Sequence, residues 1–325
     1  MKIERKVLLV TWSHVDLAFL DILKKNAGNK IEIEKFEHVK GWNSTSRSYI
    51  KNYIHIIKFA FKILWKSYSK HCIYFGHNLC RMFFLFSFIN RSSYYIYNEL
   101  PKTDDSILCK FDKLIFKLSK RNFVSNHSRL NLLKAKGFET QNTKVIENVT
   151  FSSIETNIKK EKNDKAIIIG TFSENRFGES TIRGINSLKY ASLEIDALPS
   201  YIDRKFNKKA ISVNWLKGVP HNQVNKIINN YSYGILAYEN SSLNNFYAAP
   251  LKIYEYVNFG LKIISIIPNY GIDLIKKDYP ELFVNTDLNS LSLERKFESY
   301  EDARLNFLRN AIETNQQFAN IIMSI

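Results

Sequence analysis

The sequence predicts an α/β protein of two doubly wound domains, and three observations support this class. A length of 325 residues suits two domains of about 150 residues each. From residue 7 to residue 146, short apolar runs alternate with segments of helical periodicity. The same alternation restarts at residue 166, after a polar stretch that we interpret as a linker. Because strands that alternate with helices form parallel sheets, each half is expected to build its own sheet with helices on both faces.

The first predicted domain comprises residues 1–150. Strands are expected at 7–11, 31–36, 72–75, 94–97, 122–124 and 145–146. Helices are expected at 15–25, at 46–69, after residue 78 up to 89, and at 128–136, with another helix start at Asp104 and Asp105.

The second predicted domain, residues 151–325, begins with the polar linker at 151–164. Strands are expected at 166–169, 211–213, 233–237 and 261–267, and helices at 250–259 and 301–325. The last of these helices could pack back onto the first domain. Ligands of doubly wound domains bind at the carboxyl ends of the strands, so the two domains are expected to face a central cleft that holds the site.

Composition excludes several classes of protein. With 45% hydrophobic and 14% aromatic residues, the chain can bury full cores and is not expected to be disordered. Cys72, Cys80 and Cys109 lack the spacing of a disulfide framework or of a metal site, which predicts reduced, buried thiols and a cytoplasmic location. No apolar stretch reaches the length of about 18 residues that a transmembrane helix needs.

The positive charge is concentrated in the first half of the chain. Residues 1–150 hold 26 Lys and Arg against 12 Asp and Glu, a net charge of +14. Residues 151–325 hold 21 against 19, a net charge of +2. An anionic membrane, a nucleic acid or a merely Lys-rich surface could account for this asymmetry. Nothing in the sequence resembles a nucleic-acid module, so no nucleic acid is expected as a partner.

Lysines recur along the predicted helix at 49–70, at positions 51, 58, 62, 66 and 70, between aromatic and aliphatic residues. Such a helix could lie at the interface of an anionic bilayer, or it could pack on the sheet with a solvated row of lysines. We therefore expect a peripheral location at the inner face of the cytoplasmic membrane, through the basic first half.

The strongest local signal is a short helix that Pro250 can begin and Gly260 can end. The free N–H groups of Leu251 and Lys252 at its start favour an anion such as a diphosphate. Glu255 follows one turn later on the same face as Lys252, where a carboxylate can accept two hydrogen bonds from a ribose diol. The same spacing also fits a plain helix with a surface Lys–Glu pair.

The pattern P-x-K-x-x-E-Y-x-x-x-G in this helix resembles that of GT-B glycosyltransferases, in particular the family four-type enzymes of bacterial polysaccharide synthesis. Further resemblances follow the family's order along most of the chain, at 122–125, 144–148, 167–172, 217–221 and 233–237. The GT-B fold consists of two Rossmann-like domains that face a central cleft. The resemblance therefore implies the same fold class as the periodicity.

By that resemblance, the second domain binds a nucleotide sugar, with UDP as the expected nucleotide. Glu255 would bind the ribose hydroxyls, and the amides of Leu251 and Lys252, directly after Pro250, would hold the diphosphate. No cofactor is expected beyond this co-substrate.

Residues earlier in the second domain complete the implied donor site. Gly170 and Thr171 would let the backbone approach the phosphates, and Gly218 belongs to the loop that would contact the nucleobase. Arg176 could offer positive charge to the leaving diphosphate, because its planar guanidinium binds phosphate through two hydrogen bonds. Metal is expected to be unnecessary, since no Asp-x-Asp pair is present and these cations can stabilise the leaving group.

The sequence departs from the family's pattern around the reacting sugar. Many members carry two glutamates eight positions apart, and at the first of these positions this chain has Tyr247, while Glu239 is out of register. The candidate catalytic bases are His14, His77 and Glu99, which each follow a predicted strand of the first domain. An inverting enzyme needs such a base and a retaining one does not, so the stereochemistry is left open.

The expected activity is transfer of a hexosyl group from the nucleotide sugar to a glycan or lipid-linked acceptor in bacterial surface polysaccharide synthesis. The alternative is a non-catalytic GT-B-like subunit that supports a partner transferase, which the missing glutamate would suit. Retention of Pro250, Lys252 and Glu255 favours the enzyme, because a scaffold has no need of a diphosphate site.

Overall fold

The computed structural model describes residues 7–12, 31–36, 46–67, 70–87, 93–97, 100–284 and 297–323, apart from residues 102, 105, 148, 150, 152, 160, 161, 175, 191 and 239–241. Contacts divide the chain into two compact units. The N-unit comprises residues 1–151 and 314–325, and the C-unit comprises residues 152–313.

The N-unit is built on a parallel sheet of six described strands. In chain order they are β1 (Val7–Trp12), β2 (Ile31–Phe36), β3 (His71–Phe75), β4 (Ser93–Tyr97), β5 (Arg121–Val124) and β6 (Thr143–Val145). They lie side by side in the order β2-β1-β3-β4-β5-β6. The strands expected from the sequence are confirmed here, with β6 beginning two residues earlier than predicted.

Four described helices connect these strands: α1 (Ser46–Ser67), α2 (His77–Ser87), α3 (Ile107–Leu118) and α4 (His127–Ala135). The helices predicted at 46–69, after 78 and at 128–136 are confirmed, and the one predicted at 15–25 lies outside the described residues. The sequence indicated only the start of α3. Ser106 is its N-cap and accepts a hydrogen bond from the Cys109 amide at 3.2 Å.

All four helices pack on one face of the sheet. Alternate residues of β1 point to opposite faces, so Leu8 and Val10 lie in one core and Val7 and Leu9 in the other. The first core takes its helical residues from α1, α2, α3 and α4. The second core is covered by Phe318 near the C-terminus of the chain, whose ring contacts Phe123 edge-on at 4.6 Å.

A buried ion pair joins two of these helices. The Asp112 side chain on α3 is fully buried and accepts two hydrogen bonds from Arg81 on α2, at 2.8 and 2.6 Å. This paired geometry is the one in which a guanidinium binds a carboxylate most strongly. It holds α2 and α3 in one layer.

Three lysines of the predicted row, Lys62 and Lys66 of α1 and Lys70 just after it, form ion pairs and do not belong to a free lysine row. Lys62 pairs with Glu34 of β2 at 2.7 Å, Lys66 bonds both Glu32 and Glu34, and Lys70 bonds Glu32. Hydrogen bonds from Lys66 and then Lys70 lower the pKa of Glu32 from 4.5 to about 2. These lysines therefore attach α1 to the carboxylates of an edge strand. Within the described ranges, none of the helices is both long and apolar enough to cross a bilayer.

The C-unit is built on a second parallel sheet. Its strands are β7 (Asn163–Phe172), β8 (Glu194–Ile202), β9 (Asn214–Trp215), β10 (Tyr231–Leu236) and β11 (Lys262–Ser265), in the order β11-β10-β7-β8-β9. The helices that flank them are α5 (Glu179–Tyr190), α6 (His221–Ile228), α7 (Leu243–Phe246), α8 (Leu251–Asn258), α9 (Tyr270–Asp278) and α10 (Phe297–Met323). The final residues of α10, from 314 onward, belong to the N-unit.

Two strand assignments in this unit differ from the prediction. The strand expected near 211–213 lies slightly later, as β9 at Asn214–Trp215, because the Val213 amide donates a hydrogen bond to the Ile211 carbonyl at 3.1 Å in a tight turn before it. Strand β8 was not predicted, since Asp196 and Pro199 interrupt its apolar run. The expected strands that became β7, β10 and β11, and the helices that became α8 and α10, are confirmed.

The strand order of the C-unit creates a switch point. From β7 the chain proceeds outward to β8 and then β9, and it returns to the other side of β7 with β10 and β11. The loops after β7 and β10 therefore leave in opposite directions. Doubly wound sheets bind ligands in the crevice at this point, outside the carboxyl ends of the two strands.

Candidate functional site

The candidate site is the opening between β7 and β10. These strands pair as far as Ile167 and Gly234, and no further pair joins them toward their carboxyl ends. The small pocket that begins there is lined by residues of both strand ends, the loop after β7 and α8: Ile168, Ile169, Gly170, Thr171, Arg176, Phe177, Ile235, Leu236, Ala237, Tyr238 and Lys252. Four of the residues expected from the sequence, Gly170, Thr171, Arg176 and Lys252, are thus brought together.

Gly170 shapes the floor of this pocket. Its φ of +144° lies in the region that side chains disfavour, and the pairing of β7 with β8 shifts register between Gly170 and Thr171. A Cβ atom added to Gly170 would lie 4.0 Å from the guanidinium of Arg176. The backbone at Gly170 is therefore bare on the side that Arg176 faces, so a phosphate could approach it closely.

An aromatic cluster positions the loop that carries Arg176. Phe177 is buried and stacks on Phe172 at 4.6 Å, and both rings contact Phe206. The Arg176 side chain is exposed and lies over the Tyr238 ring, 5.8 Å from its centroid. Arg176 therefore comes from a loop that is fixed by its neighbour and reaches across to the end of β10.

Helix α8 points its N-terminus into the same opening. Pro250 has φ −65° and ψ 138°, and its carbonyl accepts a hydrogen bond from the Ile253 amide at 3.0 Å. It is therefore the N-cap of the helix and not its first helical residue as expected, since ψ is extended although φ suits a helix. The amides of Leu251 and Lys252 precede the first intrahelical hydrogen bonds and can bind an anion.

The C-terminus of α8 is held as the sequence predicts. Gly260 has φ +71°, its amide bonds the Val257 carbonyl, and the Leu261 amide bonds the Tyr256 carbonyl, both at 2.9 Å. These two bonds form a Schellman motif. In addition, the buried Arg304 of α10 donates to the carbonyls of Val257 and Asn258, at 2.9 and 2.8 Å. A positive charge at a helix C-terminus also complements the helix dipole.

Lys252 and Glu255 form an ion pair on the first turns of α8. Only 8% of the Glu255 side chain and 18% of the Lys252 side chain are exposed, and the Lys252 ammonium donates to a Glu255 carboxylate oxygen. The low exposure separates this pair from an ordinary surface pair, because water screens it less. The pair presents an anion and a cation side by side at the edge of the opening.

Two tyrosines of the site were not found by sequence reasoning. The Tyr256 hydroxyl accepts a hydrogen bond from the Ile169 amide at 3.0 Å, at the point where β10 no longer pairs with β7. Its ring lies against Gly234, where an added Cβ would come within 2.3 Å of the ring. The signal was available in the sequence as an isolated glycine within a strand, which often marks a close approach.

Tyr238, at the end of β10, is the second of these tyrosines. Burial raises the pKa of its hydroxyl, the Arg176 charge opposes this, and the Glu255 charge adds to it. The phenol therefore stays neutral at physiological pH and can donate a hydrogen bond. The charges of Arg176 and Glu255 therefore both act on this hydroxyl, although the two residues are 79 positions apart in the sequence.

Gly218 and Tyr247 lie outside the pocket lining. A Cβ on Gly218 would meet the Pro199 carbonyl oxygen at 2.9 Å, which places the loop at 217–221 tightly beside the end of β8. Tyr247 lies eight positions before Glu255, where the resemblance implied the first of two glutamates, and its ring contacts Phe246 at 5.1 Å and Tyr270 at 5.3 Å. The expected anionic group is replaced there by an aromatic cluster.

Of the three candidate bases in the N-unit, only His77 lies among the described residues. His77 is the first residue of α2 and follows β3 directly after Gly76, which has φ +102°. His14 and Glu99 lie outside the described residues, as does Glu239. Over the part of the chain that is described, no group of three or more His, Cys, Asp or Glu residues is placed to hold a metal ion.

No protein-family model and no curated protein matches this sequence. Solved structures do match. HepE from Anabaena, in complex with UDP and glucose, is 13% identical with a TM-score of 0.65, over 99% of this chain and 100% of that chain. Trehalose-phosphate synthase (UDP-forming) from Burkholderia vietnamiensis is 8% identical with a TM-score of 0.64, over 98% and 100%. Sucrose-phosphate synthase from Thermosynechococcus elongatus is 13% identical with a TM-score of 0.58, over 98% and 96%.

Identities this low show a shared fold. These three neighbours are GT-B glycosyltransferases, as the sequence resemblance implied. The fold class predicted from the sequence, α/β with two doubly wound parallel sheets of the GT-B type, is confirmed.

Proposed function

We propose that this protein is a glycosyltransferase that takes a hexosyl group from a nucleotide sugar, with UDP as the nucleotide. One observation carries the proposal. The switch-point opening of the C-unit is lined by the bare backbone at Gly170, by Arg176 and by Lys252 at the start of α8, and Lys252 is paired with Glu255. A diphosphate and a ribose need these groups together, and a purely structural helix does not. One structural neighbour, HepE from Anabaena, was solved with UDP in two structures, which supports the choice of nucleotide.

In the proposed complex, the diphosphate lies between Gly170 and the first amides of α8. Glu255 accepts hydrogen bonds from the ribose hydroxyls, and Lys252 exchanges part of its contact with Glu255 for a phosphate oxygen. Arg176 closes the site from the loop after β7. These donors stabilise the charge of the departing UDP, so we propose that no metal ion and no further cofactor is needed.

The reaction follows from these roles. An acceptor hydroxyl oxygen forms a bond to the anomeric carbon, the bond from that carbon to the diphosphate oxygen breaks, and UDP leaves with the electron pair. With inversion, a base takes the acceptor proton, and His14, His77 and Glu99 are the proposed candidates. With retention, no base in line with the sugar is required, and the acceptor proton passes to the departing diphosphate oxygen.

We further propose that residues 1–150 hold the acceptor and residues 151–325 the donor. The acceptor would be a glycan or lipid-linked sugar in bacterial surface polysaccharide synthesis. The net charge of +14 on the first half would keep the protein at the inner, anionic face of the cytoplasmic membrane. The enzyme would then meet a lipid-linked acceptor at that surface.

Calorimetric titration of the full chain with UDP, with and without EDTA, tests the donor site. We expect binding in both conditions, and a ligand at 100 times its Kd should stabilise the protein by about 2.7 kcal/mol in a thermal-shift experiment. Loss of binding with EDTA would contradict the metal-free account. Absence of binding by UDP and by other nucleoside diphosphates would contradict the proposed function.

A non-catalytic subunit is the second candidate, and the aromatic cluster at Tyr247 favours it. A subunit that has lost transfer would lack the anionic group near the reacting sugar, as this chain does at that position. Slow hydrolysis of UDP-sugar without acceptor separates the two. We expect hydrolysis, and UDP binding without any turnover would favour the supporting role.

A further inference from the structure

Helix α3 exposes an apolar stripe on the side that faces away from the sheet. Its buried side consists of Cys109, Asp112, Ile115 and Phe116, which is the side expected to face a core. On the outer side, Ile107 is 84% exposed, and Leu114 and Leu118 are 42% and 49% exposed. These positions lie on one face at helical spacing. Among the residues that the structure describes, none covers these three side chains.

Helix α1 exposes a second apolar stripe. Ile57, Phe61 and Trp65 follow each other at intervals of four residues and are 50%, 68% and 88% exposed. The core side of the same helix is formed by Phe59 and Ile63. Leaving a tryptophan almost fully in water is unfavourable, so such a side chain usually marks a surface that is covered in function.

Both stripes belong to the helix layer on one face of the N-unit sheet. Of the ten large hydrophobic side chains that are exposed in the described parts of the chain, seven lie on α1 and α3. This concentration separates the layer from a surface with apolar residues scattered singly. The other three, Tyr201, Leu243 and Tyr270, lie in the C-unit.

Basic residues flank the stripes, and acidic ones are nearly absent within the two helices, although the exposed Asp104 precedes α3 and Glu139 pairs with Lys117 at 3.5 Å. Lys58 of α1 and Lys110 of α3 are exposed beside the apolar residues. Helix α1 has no Asp or Glu in its sequence, and α3 has only Asp112, which is buried against Arg81. The outer surface of both helices is therefore apolar and cationic at once.

We propose that this helix layer lies in the interfacial region of an anionic bilayer, with the two stripes inserted among the lipids. The proposal rests on the membrane contact included in the proposed function. It assigns that contact to the two apolar stripes and not to the lysine row. Lys62, Lys66 and Lys70 are engaged with Glu32 and Glu34. A second copy of this chain fits less well, because it would bring lysines against lysines. An anionic lipid surface matches both the apolar and the positive character.

Co-sedimentation with vesicles tests this with the full chain. The vesicles consist of phosphatidylglycerol with phosphatidylethanolamine, or of phosphatidylcholine alone. We expect binding to the anionic vesicles, and the variants Phe61→Ser with Trp65→Ser, or Ile107→Ser with Leu114→Ser, to bind at least about tenfold more weakly. The matched control Tyr201→Ser with Leu243→Ser removes similarly exposed side chains from the C-unit and should bind as the wild type does.

Charge is tested separately. Lys58→Gln with Lys110→Gln should weaken anionic binding by about fivefold for each lysine, while Lys205→Gln with Lys209→Gln should have no effect. Equal binding by the stripe variants and the wild type, or no binding of the wild type to either vesicle, would overturn the proposal. So would self-association in solution that the stripe variants abolish, because it would make a second copy the occupant.

UDP titration of the same variants keeps this test apart from the donor site. All of them should retain wild-type UDP affinity. Vesicle binding without UDP binding would reject the proposed donor function and leave the bilayer contact standing. UDP binding without vesicle binding would reject the bilayer contact and leave the proposed donor function standing.

Discussion

The two units use similar parallel sheets in different ways. In the C-unit, charged side chains converge at the carboxyl ends of β7 and β10, around Gly170 and the start of α8. In the N-unit, the described ion pairs lie in the helix layer and along the edge strand, at Arg81–Asp112 and at Lys66 with Glu32 and Glu34. The same architecture therefore places its charged groups at strand ends in one unit, and in the helix layer and along an edge strand in the other. The two units differ in the position of their charged side chains relative to the sheet.

The largest effect is expected where the N-unit buries its charge. Arg81→Met leaves the Asp112 carboxylate buried without its ion pair, which should lower the free energy of unfolding by about 3–5 kcal/mol. Urea unfolding followed by circular dichroism measures this. The double variant Arg81→Met with Asp112→Leu should recover much of the loss, because no uncompensated charge remains. Equal losses in both variants would mean that packing, and not charge, holds α2 to α3.

In the C-unit, the corresponding weak point is the contact of Tyr256 with Gly234. A methyl group at Gly234→Ala would clash with the Tyr256 ring, so the variant should lose about 1–3 kcal/mol of stability. Adding Tyr256→Leu should relieve the clash, whereas adding Tyr256→Phe should not, since the ring remains. Thermal unfolding of the three variants checks the order. A stable Gly234→Ala single variant would show that α8 can move away from the sheet, and that the opening is not rigidly set.

Donor binding gives the next effect and concerns the C-unit alone. Glu255→Gln keeps the size of the side chain but removes the charge that strengthens its hydrogen bonds to a ribose, which should weaken UDP binding by about 1–3 kcal/mol. Glu194→Gln is the matched control, because Glu194 pairs with Lys165 in the same unit but is 61% exposed. Calorimetric titration of both folded variants with UDP measures the two affinities. Unchanged affinity in Glu255→Gln would remove this residue from the donor site.

The smallest effect concerns acid and the N-unit edge. The pKa of Glu32 is lowered to about 2, so its pairs with Lys66 and Lys70 contribute stability above pH 4.5 that is lost as the pH falls through 2. For Glu34, burial raises the pKa but hydrogen bonds from Lys62 and Lys66 lower it further, so the sign is the same. Each exposed pair contributes about 1 kcal/mol or less.

Melting temperatures between pH 5 and 2 therefore test these pairs. The wild type should lose slightly more stability on acidification than Glu32→Gln with Glu34→Gln does. Parallel acid profiles for the two proteins would show that the α1 lysines contribute nothing to holding β2.

Short-range features were predictable from the sequence because neighbouring residues decide them. The apolar runs of β1, β3 and β10 and the ends of α8 at Pro250 and Gly260 follow from side-chain alternation and from backbone preference. Where the local pattern was ambiguous, prediction failed. Only the start of α3 was predicted, and β8, which contains both a proline and an aspartate, was missed.

By itself, the sequence determined the class of fold, most of the elements and the helix that begins the candidate donor site. Tertiary structure alone decided which distant groups meet there. The Tyr256 hydroxyl meets the Ile169 amide 87 positions away, and Arg176 meets Tyr238 because two strands diverge at a switch point. In the N-unit, Lys66 of α1 likewise pairs with Glu32 and Glu34 of β2, which are more than 30 positions away. Such contacts depend on strand order and on the register between elements, and no local preference encodes either of them.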